Sequence, residues 1–186
     1  MISWLSKILF YNILGWKFKG TIPDDKKIIA IMGPHTSAYD FIICVIGRSV
    51  LKMGSRIKFL GKAELFKNPL TKFIFTAFGG YPVDRSKKNN LVDSIVDVYN
   101  SKDEFFVAIA PEGTRKKVDK LKTGFYYIAL KAKIPVLMIG LDFKKKLILI
   151  SKLFYVSGEI NKDMDSFIDF FRPITGKVPK NGLSHL

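Results

Sequence analysis

The chain has 186 residues, 48% of them hydrophobic, and carries 31 Lys and Arg against 16 Asp and Glu, a formal charge of +15. That length suits one domain with a sizeable core, and the charge sets up a positive field whose natural partners are polyanions: nucleic acid, an anionic membrane surface or a phosphate-rich small molecule. One cysteine and two histidines exclude an intrachain disulfide and leave no Cys/His set of the kind structural zinc needs, so no metal site is expected.

The opening segment, Ile2 to Phe18, is apolar and aromatic, but Lys7 and Lys17 bracket it. It therefore falls short of the roughly 20 uninterrupted apolar residues of a transmembrane helix. It also lacks a small-residue cleavage site and reads as retained, not as a signal peptide. On a helical wheel Ser3, Ser6, Lys7 and Lys17 gather into a narrow polar stripe, with Trp4, Leu5, Ile8, Leu9, Ile13 and Trp16 on the broad remainder. Residues 1–19 are expected to form an interfacial helix whose basic residues favour anionic lipid. A terminal helix docked on the protein's own core is the alternative, because Phe10 and Leu14 blur the pattern.

Ile28-Ile29-Ala30-Ile31-Met32, closed by Gly33-Pro34, predicts a buried strand and a turn, with a helix over about 39–51 after it. Cys44 lies in the apolar run 41–46 and is expected in the core, not as a nucleophile. A second strand, 57–60, ends at Gly61; residues 65–78 are helical with a break at Asn68-Pro69, and Gly79-Gly80 stops them. A short extended piece at 81–83 precedes a helix over 89–100, and 105–110 is the clearest strand of all. A helix over 124–133 leads into a strand at 134–142, beyond which 147–150 and 154–156 are expected to pair, the late strands being candidates for antiparallel pairing. Residues 163–171 form the last expected helix, and 177–186, rich in turn formers, are expected to be a loose tail. Apolar strands alternating with helices predict an α/β fold. The expectation is a single-domain sandwich over residues 20–176, with a mixed, largely parallel central sheet flanked by helices.

His35 stands five residues before Asp40 at the junction of the first strand and its helix. In one continuous helix that spacing separates the two side chains by about 140°, so they meet only if His35 precedes the helix. Asp40 can then hold one ring nitrogen while the other accepts a proton, the base-and-orienter relation used in acyl transfer. The competing reading is a capping box over Ser37-Ala38-Tyr39-Asp40, with Asp40 serving only the helix terminus. Pro111-Glu112-Gly113-Thr114-Arg115 follows the strongest strand, where a ligand crevice is expected. There Gly113 permits close backbone approach, Thr114 offers a hydroxyl, Arg115 presents a planar fork for phosphate oxygens, and Glu112 either orients Arg115 or meets a substrate hydroxyl. Lys62 and Arg85 lie just past two other strands, and Lys116, Lys117, Lys120, Lys122 and Lys144 to Lys146 extend the positive field. No phosphate loop, no Gly-x-Ser-x-Gly elbow and no dinucleotide fingerprint is present, which disfavours nucleotide and serine hydrolysis.

Taken in order, His35-(four residues)-Asp40, Gly61-Lys62-x-Glu64-Leu65, Gly80-Tyr81-Pro82-Val83-Asp84-Arg85, Pro111-Glu112-Gly113-Thr114-Arg115 and Ile134-Pro135-Val136 resemble the glycerolipid acyltransferase family. Its best-known members are the 1-acylglycerol-3-phosphate acyltransferases, and the resemblance spans about residues 28 to 142. It implies a glycerol-3-phosphate acyltransferase-like αβ fold with His35 and Asp40 as the catalytic pair. It further implies a substrate phosphate site of Lys62, Arg85 and Arg115, and an acceptor site of Glu112, Gly113 and Thr114. The implied reaction uses no metal, cofactor or covalent acyl-enzyme. A fatty acyl group passes from acyl-CoA or acyl carrier protein to the hydroxyl of a lysophospholipid, 1-acylglycerol-3-phosphate above all, giving phosphatidic acid. The expected setting is the cytoplasmic face of an anionic membrane, with the protein peripheral or monotopic and without a nucleic-acid partner. Pro34 before the His, and Ser86-Lys87-Lys88 after Arg85 with no second Arg, depart from the usual pattern and leave the acceptor open. A lyso-aminolipid acceptor is one alternative, since Arg115 pairs with a carboxylate equally well. A noncatalytic basic binder of membrane or nucleic acid is the other, although no zinc-finger, leucine-zipper or RNA-recognition signature accompanies the charge.

Overall fold

The computed structural model describes residues 2–83 and 91–186, apart from the side chains of Ile2, Ser3 and Lys62. In chain order the elements are α1 (Ile2–Lys7), a π-helical segment (Ile8–Ile13), β1 (Lys17–Lys19), β2 (Lys27–Gly33), α2 (Tyr39–Val50), β3 (Ile57–Lys62), a 3-10 turn (Ala63–Phe66), α3 (Pro69–Ala77) and β4 (Gly80–Val83). They continue with α4 (Leu91–Ser101), β5 (Phe105–Ile109), α5 (Gly124–Ala132), β6 (Val136–Asp142), β7 (Leu147–Phe154) and α6 (Ile160–Phe171), and a short 3-10 turn at Pro179–Asn181 is the last element.

β2 shows why the sheet is covered on both sides. Ile28 and Ala30 enter one apolar layer while Ile29 and Ile31 enter the other, as the two-residue period of a strand requires. On one face lie Tyr99 from α4, Phe125 and Ile128 from α5, and Phe167 and Phe171 from α6. On the other lie Ile43 and Val50 from α2, with Phe10 and Trp16 from the N-terminal segment. The strands run β1-β7-β6-β2-β5-β3-β4. The five from β6 to β4 are mutually parallel, β7 is antiparallel to β6, and β1 is parallel to β7. The fold is therefore a mixed, mostly parallel α/β sandwich, as the alternation of strands and helices predicts.

Four expectations are corrected. Residues 1–19 do not form one helix: Gly15, at φ 70, turns the chain so that Lys17–Lys19 can join the sheet as β1. The reason is apolar burial, since Phe10 and Trp16 become 0% and 4% exposed and the Phe10 ring stacks on Phe18 at 4.7 Å. The docked alternative thus describes Phe10 and Trp16, while Trp4, Leu5, Tyr11 and Ile13 stay exposed. In place of the two pieces expected at 147–150 and 154–156 there is one strand, β7, which ends at Phe154 and carries a register irregularity opposite Leu137 to Ile139. Gly61 and Lys62 continue β3, so Lys62 is the last residue of the strand and does not lie just past it. Finally, the C-terminal residues are not loose: Leu183 is 1% exposed, in the layer with α5 and α6, and His185 Nε2 lies 2.8 Å from the Val118 carbonyl oxygen. Leu183 and the partly buried Leu186, together with the hydrogen-bonded His185, dock a segment that composition alone marks as solvated. The start of the helix expected at Asn89 lies outside the described residues.

Candidate active site

Because the five strands from β6 to β4 are parallel, their carboxyl ends share one edge of the sheet, where ligand crevices form in α/β folds. β2 delivers Pro34 and His35 there, its neighbour β5 delivers Pro111 to Arg115, and β3 ends on Lys62. β4 ends at Val83, two residues before Arg85, which lies outside the described residues.

His35 sits before α2, so the five-residue spacing closes into a turn instead of spanning a helix. Asp40 is 1% exposed, and its Oδ2 accepts hydrogen bonds from the Thr36 and Ser37 backbone N–H groups at 2.7 and 2.9 Å. The same oxygen stands 3.0 Å from His35 Nδ1. One carboxylate oxygen thus ties down the backbone ahead of the helix and meets the imidazole, so Asp40 does not serve the helix terminus alone. The tautomer that donates Nδ1–H to the carboxylate leaves Nε2 as the ring's acceptor, on a side chain 30% exposed. Asp40 Oδ1 is buried without a hydrogen-bond partner among the described residues.

Glu112 has a backbone partner that the sequence does not indicate. It is 3% exposed, and its Oε1 accepts the His35 backbone N–H at 2.7 Å. Among the described residues it makes no hydrogen bond or ion pair with Arg115, whose side chain is exposed. Burial raises the Glu112 carboxyl above the ordinary glutamate range, and the His35 amide opposes that shift. Glu112 thus ties the loop after β5 to the histidine loop across adjacent strands. Gly113 follows at φ 65, and a Cβ there would stand 2.5 Å from Lys122 Nζ, so the lysine crosses the turn over a missing side chain. Thr114 is exposed, and its hydroxyl accepts the Lys116 N–H at 3.3 Å.

The segment after α6 straps both loops, which no periodicity in the sequence indicates. Thr36 Oγ1 accepts the Val178 N–H at 3.1 Å, Asn181 Nδ2 donates to the Arg115 carbonyl at 3.0 Å, and Lys177 Nζ lies 5.4 Å from the Tyr39 ring centroid. A Cβ on Gly176 would meet Thr36 Cγ2 and Oγ1 at 2.8 Å, so glycine is what lets the strap close on the histidine turn.

An apolar groove, partly open to solvent, lies between α2 and the sheet. Met32, three residues before His35, and Phe41, next to Asp40, line it together with Cys44 and Ile139. Its cations are Arg48 and Lys58. Arg48 Nη1 donates to the Ile57 carbonyl at 2.9 Å, and desolvation lowers the pKa of both. Burial, with a smaller contribution from Asp40, pushes the Cys44 thiol up to about 12. Cys44 is therefore a protonated wall residue and not a nucleophile.

The family model described as Acyltransferase matches residues 16–142. Among curated proteins none matches the sequence significantly. Among solved structures the chain is similar to the crystal structure of the 1-acyl-sn-glycerophosphate (LPA) acyltransferase PlsC from Thermotoga maritima. The TM-score is 0.58 at 18% identity, over 99% of this chain and 77% of that one. That likeness is one of fold.

Proposed function

Since the chain belongs to the acyltransferase family, we propose that it moves a fatty acyl group from the thioester of acyl-CoA or acyl carrier protein to the hydroxyl of a lysophospholipid. The acceptor is 1-acylglycerol-3-phosphate and the product phosphatidic acid. The observation that carries this reading is the His35–Asp40 pair, held at the sheet edge where β3 ends on Lys62 and the loop after β5 carries Arg115, with its chain neighbours Met32 and Phe41 lining the apolar groove. His35 Nε2 takes the hydroxyl proton as the oxygen attacks the thioester carbonyl. The C–S bond then breaks, the new C–O ester bond remains, and the departing sulfur recovers the proton from the imidazolium. Backbone N–H groups stabilise the oxyanion. Asp40 stabilises the imidazolium, and Glu112 fixes the backbone that carries it. The fatty chain of the donor lies in the groove, while Lys62, Arg85 and Arg115 face the acceptor phosphate, with Gly113 and Thr114 beside it. No helix among the described residues is long and apolar enough to cross a membrane, and the protein works as a peripheral enzyme at the cytoplasmic face of an anionic bilayer.

The test is acyl transfer by purified protein and its His35→Ala variant, with lysophosphatidic acid and an N-acyl amino acid bearing a free hydroxyl as rival acceptors. A folded His35→Ala protein should lose thioester-dependent transfer, and the parent should prefer the phosphorylated acceptor. Full activity in the variant would defeat the base assignment; preference for the acceptor without phosphate would replace the acceptor by a lyso-aminolipid.

A further inference from the structure

α3 is an apolar helix with no buried residue. Leu70, Phe73 and Ile74 are 68%, 75% and 41% exposed, on one side at i, i+3, i+4 spacing, while Phe75 turns the other way with its ring 5.9 Å from Phe66. The helix is well started: Pro69 occupies its first turn, and the Asn68 side chain accepts the Leu70 N–H at 2.9 Å. Its outward apolar side is thus held in place by the fold. Exposed contiguous apolar surface of this kind marks an interaction site. The patch runs on through Phe78 to Phe41, whose rings lie 6.2 Å apart. Both are about half exposed and both line the groove. Lys72 is the one charge within Pro69–Ala77, and Lys67 stands just before it.

We propose that α3 is a bilayer-inserting element distinct from the N-terminal segment, and that it sets the groove's mouth on anionic lipid so that a fatty chain passes from bilayer to groove without crossing water. Three features favour lipid over a second copy of the chain. The flanking charges are both positive, so a twofold contact would face lysines with lysines. Two chains of +15 each repel. Apolar insertion beside basic residues is the arrangement that binds anionic interfaces. The groove's role rests on the acyl-transfer reading, but the insertion itself does not.

The experiment measures binding of the full chain to phosphatidylcholine vesicles with and without phosphatidylglycerol, for the parent and Leu70→Ser/Phe73→Ser, neither of which lines the groove. The double variant should bind anionic vesicles about tenfold or more weakly, because two large apolar side chains no longer leave water. Its acyl transfer should fall with vesicle-borne substrate and stay at the parent's level with substrate dispersed in detergent. A separate Phe73→Trp protein should show tryptophan quenching by bromine-labelled lipid chains in excess of the parent's. Unchanged vesicle binding, or no excess quenching, overturns the proposal. So does a concentration-dependent dimer abolished by the double variant while vesicle binding is unaffected. Absence of acyl transfer by the parent would instead sink the functional reading and leave the insertion measurement standing.

Discussion

Asp40 Oδ2 accepts two backbone N–H groups and faces the imidazole at once, while Oδ1 is buried and unpartnered. In Asp40→Asn the amide oxygen can replace Oδ2, leaving the NH2 where Oδ1 now stands, without an acceptor. Two losses follow: an unsatisfied buried donor, costing about 1–3 kcal/mol of stability, and the negative charge that stabilises the imidazolium, lowering kcat by about 10²-fold or more. A kcat equal to the parent's would show that Asp40 only caps the turn. Glu112 allows a sharper test, through pH. A carboxyl whose folded pKa is raised, here by burial, contributes stability that is complete below the ordinary glutamate range and is lost as the pH climbs through the raised value. Glu112→Gln keeps an oxygen for the His35 N–H and has no charge to desolvate, so its unfolding free energy should not decline across that window. Denaturant melts from acidic to neutral pH decide it, and parallel curves for the two proteins would refute the buried-charge account.

The elements legible in the sequence are those whose period is carried by many residues: α2, β5 and α5 emerge close to their expected limits. The His35–Asp40 pair was legible too, because five residues across a strand–helix junction leave few geometries. Glu112 was not. Its partner is a backbone amide 77 residues away, which no local pattern encodes. The groove escaped for a similar reason, its walls being drawn from α2 and several strands. The strap escaped because its contacts rest on Gly176 and Asn181, which read as turn formers, and on the backbone N–H of Val178, which carries no side-chain signal. Each missed element supports a prediction. Gly176→Ala drives a Cβ into Thr36 and displaces the histidine turn, so kcat should fall about tenfold or more with little change in donor KM, as sub-ångström to ångström misplacements do. If kcat holds while the protein stays folded, the strap has no bearing on chemistry. Cys44→Phe narrows the groove and should shift the kcat/KM ratio toward lauroyl over palmitoyl donors. Overpacking costs about 1–3 kcal/mol, so folding is followed by circular dichroism. An unchanged ratio in folded protein would place the fatty chain elsewhere.

Across the whole molecule, charge and apolar exposure divide the work of finding the substrate. The charge of +15 acts at long range and is screened by salt, with a Debye length of about 10 Å at 0.1 M falling to about 3 Å at 1 M. The exposed side chains of α1 and α3 act only on contact and are indifferent to salt. A purely electrostatic binder would release anionic vesicles completely as salt rises, and would retain DNA with the same sensitivity. A protein that also inserts apolar side chains should weaken by about tenfold or more between low and near-molar salt and then level off at a residual affinity shared with uncharged phosphatidylcholine. Transfer measured with detergent-dispersed substrate should change far less over the same range, because the His35–Asp40 contact is shielded by a carboxylate only 1% exposed. Vesicle sedimentation and the transfer assay, run through one salt series, separate the two contributions. A binding curve that falls to zero would assign membrane attraction to charge alone and leave the apolar faces of α1 and α3 without a part in it.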